Sequence, residues 1–308
     1  MSAVPPVPGE DAPPATTMRP RRPARLLLQM LVYLLGVAIL IWYARSAFRS
    51  DEFDAWAVLR DADWRLVLGM LAFSLGSLFL NGMTFWLVAR PLKDVGFWNM
   101  QFLNAVGNAL NYLPLRPGLI ARLAYHMRVD RLSLLEIGAW FASVAAIMLM
   151  VVGVLVSATL LHGEFDAIWI AMVLVGCVAG GLLLRLLAHL PLLERFGRAS
   201  PHMLKHHAVV WPAIVLRLLD VVMHTGRLAC AMAIVGVELY SPTYVVLVAM
   251  VALMAGLLPV RIGFREVLLG MAATAAAGAT VDEALFALLA LVESAGEALL
   301  YIPLGAIA

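Results

Sequence analysis

The sequence predicts an all-α, polytopic integral membrane protein with about six transmembrane helices and two oppositely oriented re-entrant helical hairpins in an inverted repeat. Three observations predict it. Hydrophobic residues make up 63% of the 308 and charged residues 14%, with a mean hydropathy of +0.92. Apolar runs of roughly 20 residues recur along most of the chain, the length that a hydrocarbon core of about 30 Å requires. One interruption also occurs twice: Leu113-Pro114-Leu115-Arg116-Pro117-Gly118 and Leu258-Pro259-Val260-Arg261-Ile262-Gly263. Lipid tolerates a broken backbone or a guanidinium only where protein or a wet cavity shields it, so a repeated break points to a site between two half-molecules.

Residues 1–25 hold seven prolines and no helical period, and end in Arg19, Arg21, Arg22 and Arg25. They read as a disordered cytoplasmic tail. The apolar run at 26–44 is too long for the core of a cleaved signal peptide and reads as the first span. Further spans are expected at 65–89, 134–161, 167–188, 209–236 and 282–304. Residues 26–308 then form one transmembrane domain, with repeat 1 at about 26–161 and repeat 2 at about 167–304.

Segments 97–129 and 242–277 differ from the spans. Each has an apolar arm of about 15 residues, the Pro/Arg/Gly break, and a second short arm. Such an arm rises only about 22 Å, less than the hydrocarbon core, so both segments are expected to re-enter. Arg90, Lys93, Arg122, Arg128 and Arg131 flank the first hairpin, and Arg185, Arg195, Arg198 and Lys205 fill the central loop. The loops at 162–166, 237–241 and 277–281 have no Lys or Arg, whereas 45–64 mixes Arg45, Arg49 and Arg60 with acids. The positive-inside rule puts both termini in the cytoplasm, with the first hairpin opening inward and the second outward. Each half crosses an odd number of times, so the second is inverted relative to the first.

A polar stripe supports the repeat. Ser74, Ser77, Asn81 and Thr84 follow 3-4-3 spacing, and so do Arg217, Asp220, His224 and Arg227 at matching positions of the second half. Both stripes occupy one helical face.

Arg116 and Arg261 sit in the breaks, Arg265 and Glu266 open the following arm, and Glu293 and Glu297 share a face of the last helix. Unpaired, each costs several kcal/mol at membrane depth, so they should face one another or a wet cavity. Structural ion pairs Arg217–Asp220 and Arg261 or Arg265 with Glu293 or Glu297 are one reading. Yet Arg116, Arg217, Arg227, Arg261 and Arg265 outnumber Asp220, Glu266, Glu293 and Glu297, and the surplus suits phosphate or another anionic headgroup. The first hairpin adds Gln101, Asn104, Asn108 and Asn111 on one face, which either bond a neighbouring helix or line a polar cavity. Their counterparts Ala249, Leu253 and Gly256 are apolar.

Other chemistry finds little support. Cys177 and Cys230 lie in apolar helices and read as inert thiols. His202, His206 and His207 with Lys205 make a basic loop suited to lipid headgroups rather than a metal site. His224 reads as a packed stripe member with proton carriage as its alternative. No metalloprotease, esterase, P-loop or dinucleotide motif is present, and the net charge of +2 implies no nucleic-acid partner. No cofactor or metal is expected.

Pro114, Arg116, Gly118 and Arg122, with Pro259, Gly263, Arg265 and Glu266, resemble the two motifs of the flippase-like family named for the transmembrane region of lysylphosphatidylglycerol synthase. Leu119 stands where that family has Glu, and Arg261 and Ile262 replace a more glycine-rich form. The resemblance spans about 25–305 and has no aminoacyl-transferase domain beside it. It implies a lipid flippase or exporter of the inner membrane whose cargo is a phospholipid, a hopanoid or a polyprenyl-linked lipid. In that expectation Arg116, Arg122 and Arg261 engage the headgroup, while Arg265, Glu293 and Glu297 pair in one state and open in another. A membrane-embedded enzyme acting on lipid phosphate, with Glu293, Glu297 or His224 as acid or base, is one alternative. A non-transporting partner of a lipid-modifying enzyme is the other.

Overall fold

The structure is a computed structural model that describes residues 23–49, 54–113, 117–189, 203–237, 241–255, 263–277 and 283–308. Every regular element among them is a helix: α1 (Pro23–Phe48), α2 (Ala55–Arg60), α3 (Trp64–Ala89), α4 (Phe97–Leu110), α5 (Pro117–Arg128) and α6 (Leu134–Leu161) in the first half. The second half contributes α7 (Ala167–Ala188), α8 (His207–Val235), α9 (Pro242–Ala255), α10 (Phe264–Ala277) and α11 (Glu283–Ile307). Six helices, α1, α3, α6, α7, α8 and α11, are long and apolar enough to cross a membrane. The chain is an all-α, multi-pass membrane protein.

The expected spans recur within a few residues of their bounds. Helix α1 starts earlier, at Pro23, since proline suits the first turn, where no N–H partner is needed. The tail 1–22, the breaks with Pro114, Arg116, Pro259 and Arg261, and residues 190–202 lie outside the described residues. The short α2 has no apolar period to announce it and forms behind the Asp54 carboxylate, which accepts the N–H groups of Trp56 and Ala57. Spans α3, α6 and α7 also begin at side-chain caps. Asp63 accepts from Arg65, Ser133 and Glu136 complete a capping box, and Asp166 accepts from Ile168 and Trp169. The core is inverted from the soluble pattern at its rim, with Leu27, Leu31, Leu34 and Leu161 exposed toward the lipid side of the bundle.

Helices α3 and α8 make the central contact. Ser77 Oγ donates to Asp220 (2.7 Å) and Arg217 donates to Asn81 (3.1 Å), while Gly69 faces Cys230 and Phe73 faces Gly226. Numbers rise along α3 as they fall along α8, so the two helices are antiparallel. Ser77 and Asp220 are repeat equivalents, 143 residues apart, and they touch. Equivalent residues meet only beside a two-fold axis, which here passes through the α3–α8 contact. Two further sets of neighbours obey the same axis: α4 packs on α11 as α9 packs on α6, and α1 packs on α11 as α7 packs on α6. These relations are those of an inverted repeat.

Within each half, the two short arms pack on each other, α4 with α5 and α9 with α10. Arms α4 and α9 have 14 residues each and rise about 21 Å. Gly118 allows the first pair to close: a Cβ there would lie 2.0 Å from the Gly107 carbonyl oxygen. Gly263 does the same for the second hairpin against α1, with φ +81° and the Gly36 carbonyl 1.9 Å from its hypothetical Cβ. Gly118→Ala should therefore destabilise the protein by about 1–3 kcal/mol through overpacking. Gly138→Ala on α6, which meets nothing within 4 Å, should leave it unchanged or slightly more stable. Thermal unfolding of the two variants in detergent, compared with wild type, checks the contrast.

Candidate functional site

The two polar stripes face each other across the α3–α8 contact and, with the first hairpin, enclose a cavity of about 360 Å³. From α3 come Ser77 and Asn81, from α4 and its end Asn108 and Asn111, from α5 Leu119 and Arg122, and from α8 Arg217, Asp220 and His224. Helix α6 adds Phe141 and Met148, α9 adds Ala252 and Leu253, α10 adds Arg265, and α11 adds Glu297 and Tyr301. Both halves and both hairpins therefore line one space. Asn108 and its repeat counterpart Leu253 both reach it, but an expectation that the cavity is polar mainly on the first-repeat side does not hold, because Arg217, Asp220, His224, Arg265, Glu297 and Tyr301 of the second half line it as well.

Two charge clusters flank the cavity. In the first, Arg265 Nη2 donates to both Glu293 oxygens (2.7 and 2.6 Å), and its Nη1 reaches Glu297 (3.1 Å) and Ser294 (3.3 Å). Arg227 approaches the same acids, with Nε 2.8 Å from Glu293 Oε1 and Nη2 3.3 Å from Glu297. All four side chains are buried. In the second cluster, Arg217 pairs with Asp220 at 2.9 Å and also donates to Asn81. His224 joins the clusters, lying 3.0 Å from Arg227 Nη2 and 3.2 Å from Ser77 Oγ.

Arg122 differs from the other guanidiniums. It donates to the side-chain and main-chain oxygens of Asn104 (2.6 and 3.1 Å) and stacks over the Phe85 ring at 5.3 Å. Among the described residues no carboxylate lies within ion-pair distance of it, and its Nε–H is buried without a protein partner. Arg217 and Arg265, which also line the cavity, each keep a buried Nε–H without a protein partner. Among the described residues the wall thus keeps unused guanidinium donors and one unused acceptor, Asn111 Oδ1, which is also buried without a protein partner.

Several expectations change at this point. The expected surplus of positive charge rests on five arginines, Arg116, Arg217, Arg227, Arg261 and Arg265. Arg217, Arg227 and Arg265 find carboxylates, Arg116 and Arg261 lie outside the described residues, and among the described cavity-lining arginines Arg122 is the one with no carboxylate at ion-pair distance. Glu266 does not meet the cavity. It is the third residue of α10, and its carboxylate accepts the Gly263 N–H (2.7 Å), the reach-back half of a capping box. Gln101 bonds the Phe79 carbonyl and Asn104 the Leu78 carbonyl, so both join α4 to α3, while Asn108 and Asn111 face the cavity.

Some features left no advance sign. His162, Glu164 and Asp166 bring ligand atoms within 4.8 Å of one another on the α6–α7 loop, although Asp166 is already engaged in capping α7 and in holding His162 (2.9 Å). That carboxyl is kept below the ordinary range first by the Trp169 N–H and then by His162. His207, expected in the central loop, is the first residue of α8 and meets Arg185 of α7 at 2.6 Å, and His202 lies outside the described residues.

The chain matches no protein-family model, no curated protein and no solved structure.

Removing one member of a buried pair leaves a bare charge, at about 3–5 kcal/mol. Arg217→Leu and Asp220→Leu should each show a loss of that order in unfolding. The double variant should recover most of it, because no charge is then left unpaired. Losses that simply add would contradict the pairing.

Proposed function

We propose that this chain moves lipids with anionic headgroups across a membrane, holding the headgroup in the cavity between the two halves while the tails remain in lipid. The observation that carries this reading is Arg122: a guanidinium with no carboxylate, among Asn104, Asn108 and Asn111, on the wall of a 360 Å³ space shared by both repeats. Arginine binds phosphate oxygens through parallel N–H groups, and amides complete the shell. The apolar remainder of the wall, Leu119, Phe141, Val144 and Met148, suits the glycerol and first methylenes of a lipid. Leu119 at the edge of α5 is 41% exposed, so it marks a side opening toward the bilayer.

In this reading hairpins α4–α5 and α9–α10 re-enter from opposite faces, and rocking of one half against the other exposes the cavity to each side in turn. The basic residues of the central loop and of the α5–α6 connection favour a cytoplasmic position for those loops and for both termini. An inner membrane and a lipid-synthesis enzyme as neighbour go with the same reading. The motif resemblance is in keeping with it.

The test is acyl-labelled phosphatidylglycerol in proteoliposomes, with headgroup sidedness read by chemical quenching. Arg122→Ala should slow translocation about tenfold or more, as loss of one charge-assisted hydrogen bond implies. Arg122→Lys should keep part of the rate, and labelled phosphatidylcholine should move less than phosphatidylglycerol. Equal rates for wild type and Arg122→Ala would remove Arg122 from the site. No movement of phosphatidylglycerol by wild type would remove that cargo.

A further inference from the structure

The first turns of α5 and α10 are repeat equivalents, each opening beside the glycine of its break, yet they meet their neighbours differently. Two residues beyond Gly118 stands Ile120, 46% exposed, and two beyond Gly263 stands Arg265, 2% exposed. Arg265 spans the seam between α10 and α11, donating to Glu293 at 2.6 Å and reaching Glu297 at 3.1 Å. Helix α6, the counterpart of α11, carries no charged residue after Glu136 in its first turn, so no such pair can join α5 to its inner stretch. Helix α10 packs along α11, whereas α5 meets α6 at few points.

The first seam is closed at one end and parted at the other. Near the α5–α6 connection the His126 ring stands edge-on to Trp140, with centroids 4.8 Å apart. Two turns earlier on α5, Leu119 and Ile120 are exposed, and Leu119 lines the cavity together with Phe141, Val144, Ala145 and Met148 of α6. Most of the cavity's apolar lining is thus gathered where the seam is parted. An outer helix sharpens the contrast. Helix α1 packs on both α10 and α11, and its Gly36 carbonyl and Tyr43 hydroxyl lie where a Cβ on Gly263 or Gly270 would strike them. Its counterpart α7 packs on α6 and makes no contact of that extent with α5. One seam is tied by buried ion pairs and covered by a helix, and its twin is neither.

Leu119 precedes Arg122 by one turn on the same face of α5, so a headgroup held at Arg122 brings the rest of its lipid to the parted seam. A hydrocarbon chain passing there displaces only apolar side chains. Passing between α10 and α11, it would separate buried charges. We propose that the α5–α6 seam is a lateral portal for the acyl chains of a lipid whose headgroup occupies the cavity, and that the α10–α11 seam is the opposite portal, held shut by Arg265, Glu293 and Glu297. The structure is then the form open on the first-repeat side. The portal rests on the lipid-transport reading above, and its test reads where the chains sit as well as whether lipid moves.

The full-length protein in liposomes is given phosphatidylglycerol with a photoreactive diazirine on one acyl chain, or phosphatidylcholine with the same chain. After illumination, peptide mass spectrometry locates the label. The excess of phosphatidylglycerol over phosphatidylcholine, which cancels general contact with the bilayer, should be several-fold on α5 and α6 and absent from α10 and α11. Arg122→Ala should abolish it. Arg265→Met with Glu297→Gln removes one charge of each sign, leaves Arg227 with Glu293, and should bring an excess to α10 and α11. Arg265→Lys, which keeps the charge without the two-pronged reach, should bring a smaller one. In a chain with Cys177→Ala and Cys230→Ala, joining Leu119→Cys to Ala145→Cys with a short bis-maleimide should stop translocation, and the same reagent should not affect the parent chain. An excess spread evenly over both seams, confined to α10 and α11, or missing from a protein that moves phosphatidylglycerol would overturn the portal. Translocation at an unchanged rate after joining would also overturn it, while leaving lipid transport standing. Labelling of α10 and α11 unchanged in both Arg265 variants would overturn the latch. An excess on α5 and α6 in a protein that moves no lipid would uphold the portal and reject transport.

Discussion

A guanidinium keeps its charge at any pH a cell meets, so an arginine carried into a membrane bundle needs oxygens supplied by other helices. Arg217, Arg227 and Arg265 meet that demand through Asp220, Glu293 and Glu297, and the demand dictates which helices stay together. Glu293 receives both Arg227 of α8 and Arg265 of α10, so one carboxylate on α11 holds two elements. The Asp220 carboxylate accepts from Arg217 on its own helix and from Ser77 on α3. The central antiparallel contact is therefore polar at its middle and apolar around it, where Met70, Leu78, Val221 and Leu228 are buried. Since buried pairs are weak sources of net stability but costly to break, their effect is to specify register more than to add strength.

The repeat is symmetric in backbone and asymmetric in chemistry. The α3 stripe is neutral and the α8 stripe charged, and this difference makes direct contact at a two-fold axis workable. Two copies of Asp220 facing each other would repel, whereas Ser77 against Asp220 makes a hydrogen bond. Asn81 takes Arg217 on one side and reaches Asn104 on the other at 3.3 Å, so the neutral stripe passes hydrogen bonds from the second half to the first hairpin. A divergent repeat is the simplest way for an inverted pair to place unlike groups at its own axis.

Much of this architecture was legible before any coordinates. Span lengths follow from hydrocarbon thickness, so the six long helices and the shorter arms between them were readable from apolar run lengths alone. The matching of Ser77 with Asp220 was readable because helical spacing repeats over a constant offset. What was hidden is pairing across long separations. Glu293 lies 66 residues from Arg227 and 28 from Arg265, and no local pattern chooses between those arginines and Arg261. The role of Glu266 was hidden by its position: an acid three residues after a glycine reads equally as a site residue or as a cap. Arg122 was legible as a motif residue, but its lack of a carboxylate among the described residues was not, because that is a property of the packed bundle and not of its neighbours in sequence.

The two sides of the cavity also differ in how easily they let go. Asn104 Oδ1 receives Arg122 at 2.6 Å, Asn108 at 3.1 Å and Asn81 at 3.3 Å, three donors on an oxygen with two lone pairs. If Arg122 turns to another oxygen, Asn104 remains fully satisfied by the two amides, and no buried acceptor is stranded. On the opposite wall, withdrawing Arg265 or Arg227 uncovers part of a carboxylate that has no amide to take over. Exchange of partners is therefore cheap around Arg122 and costly around Glu293. A guanidinium on the first-repeat side can thus change partner without stranding an acceptor, whereas on the second-repeat side it leaves a buried carboxylate oxygen behind.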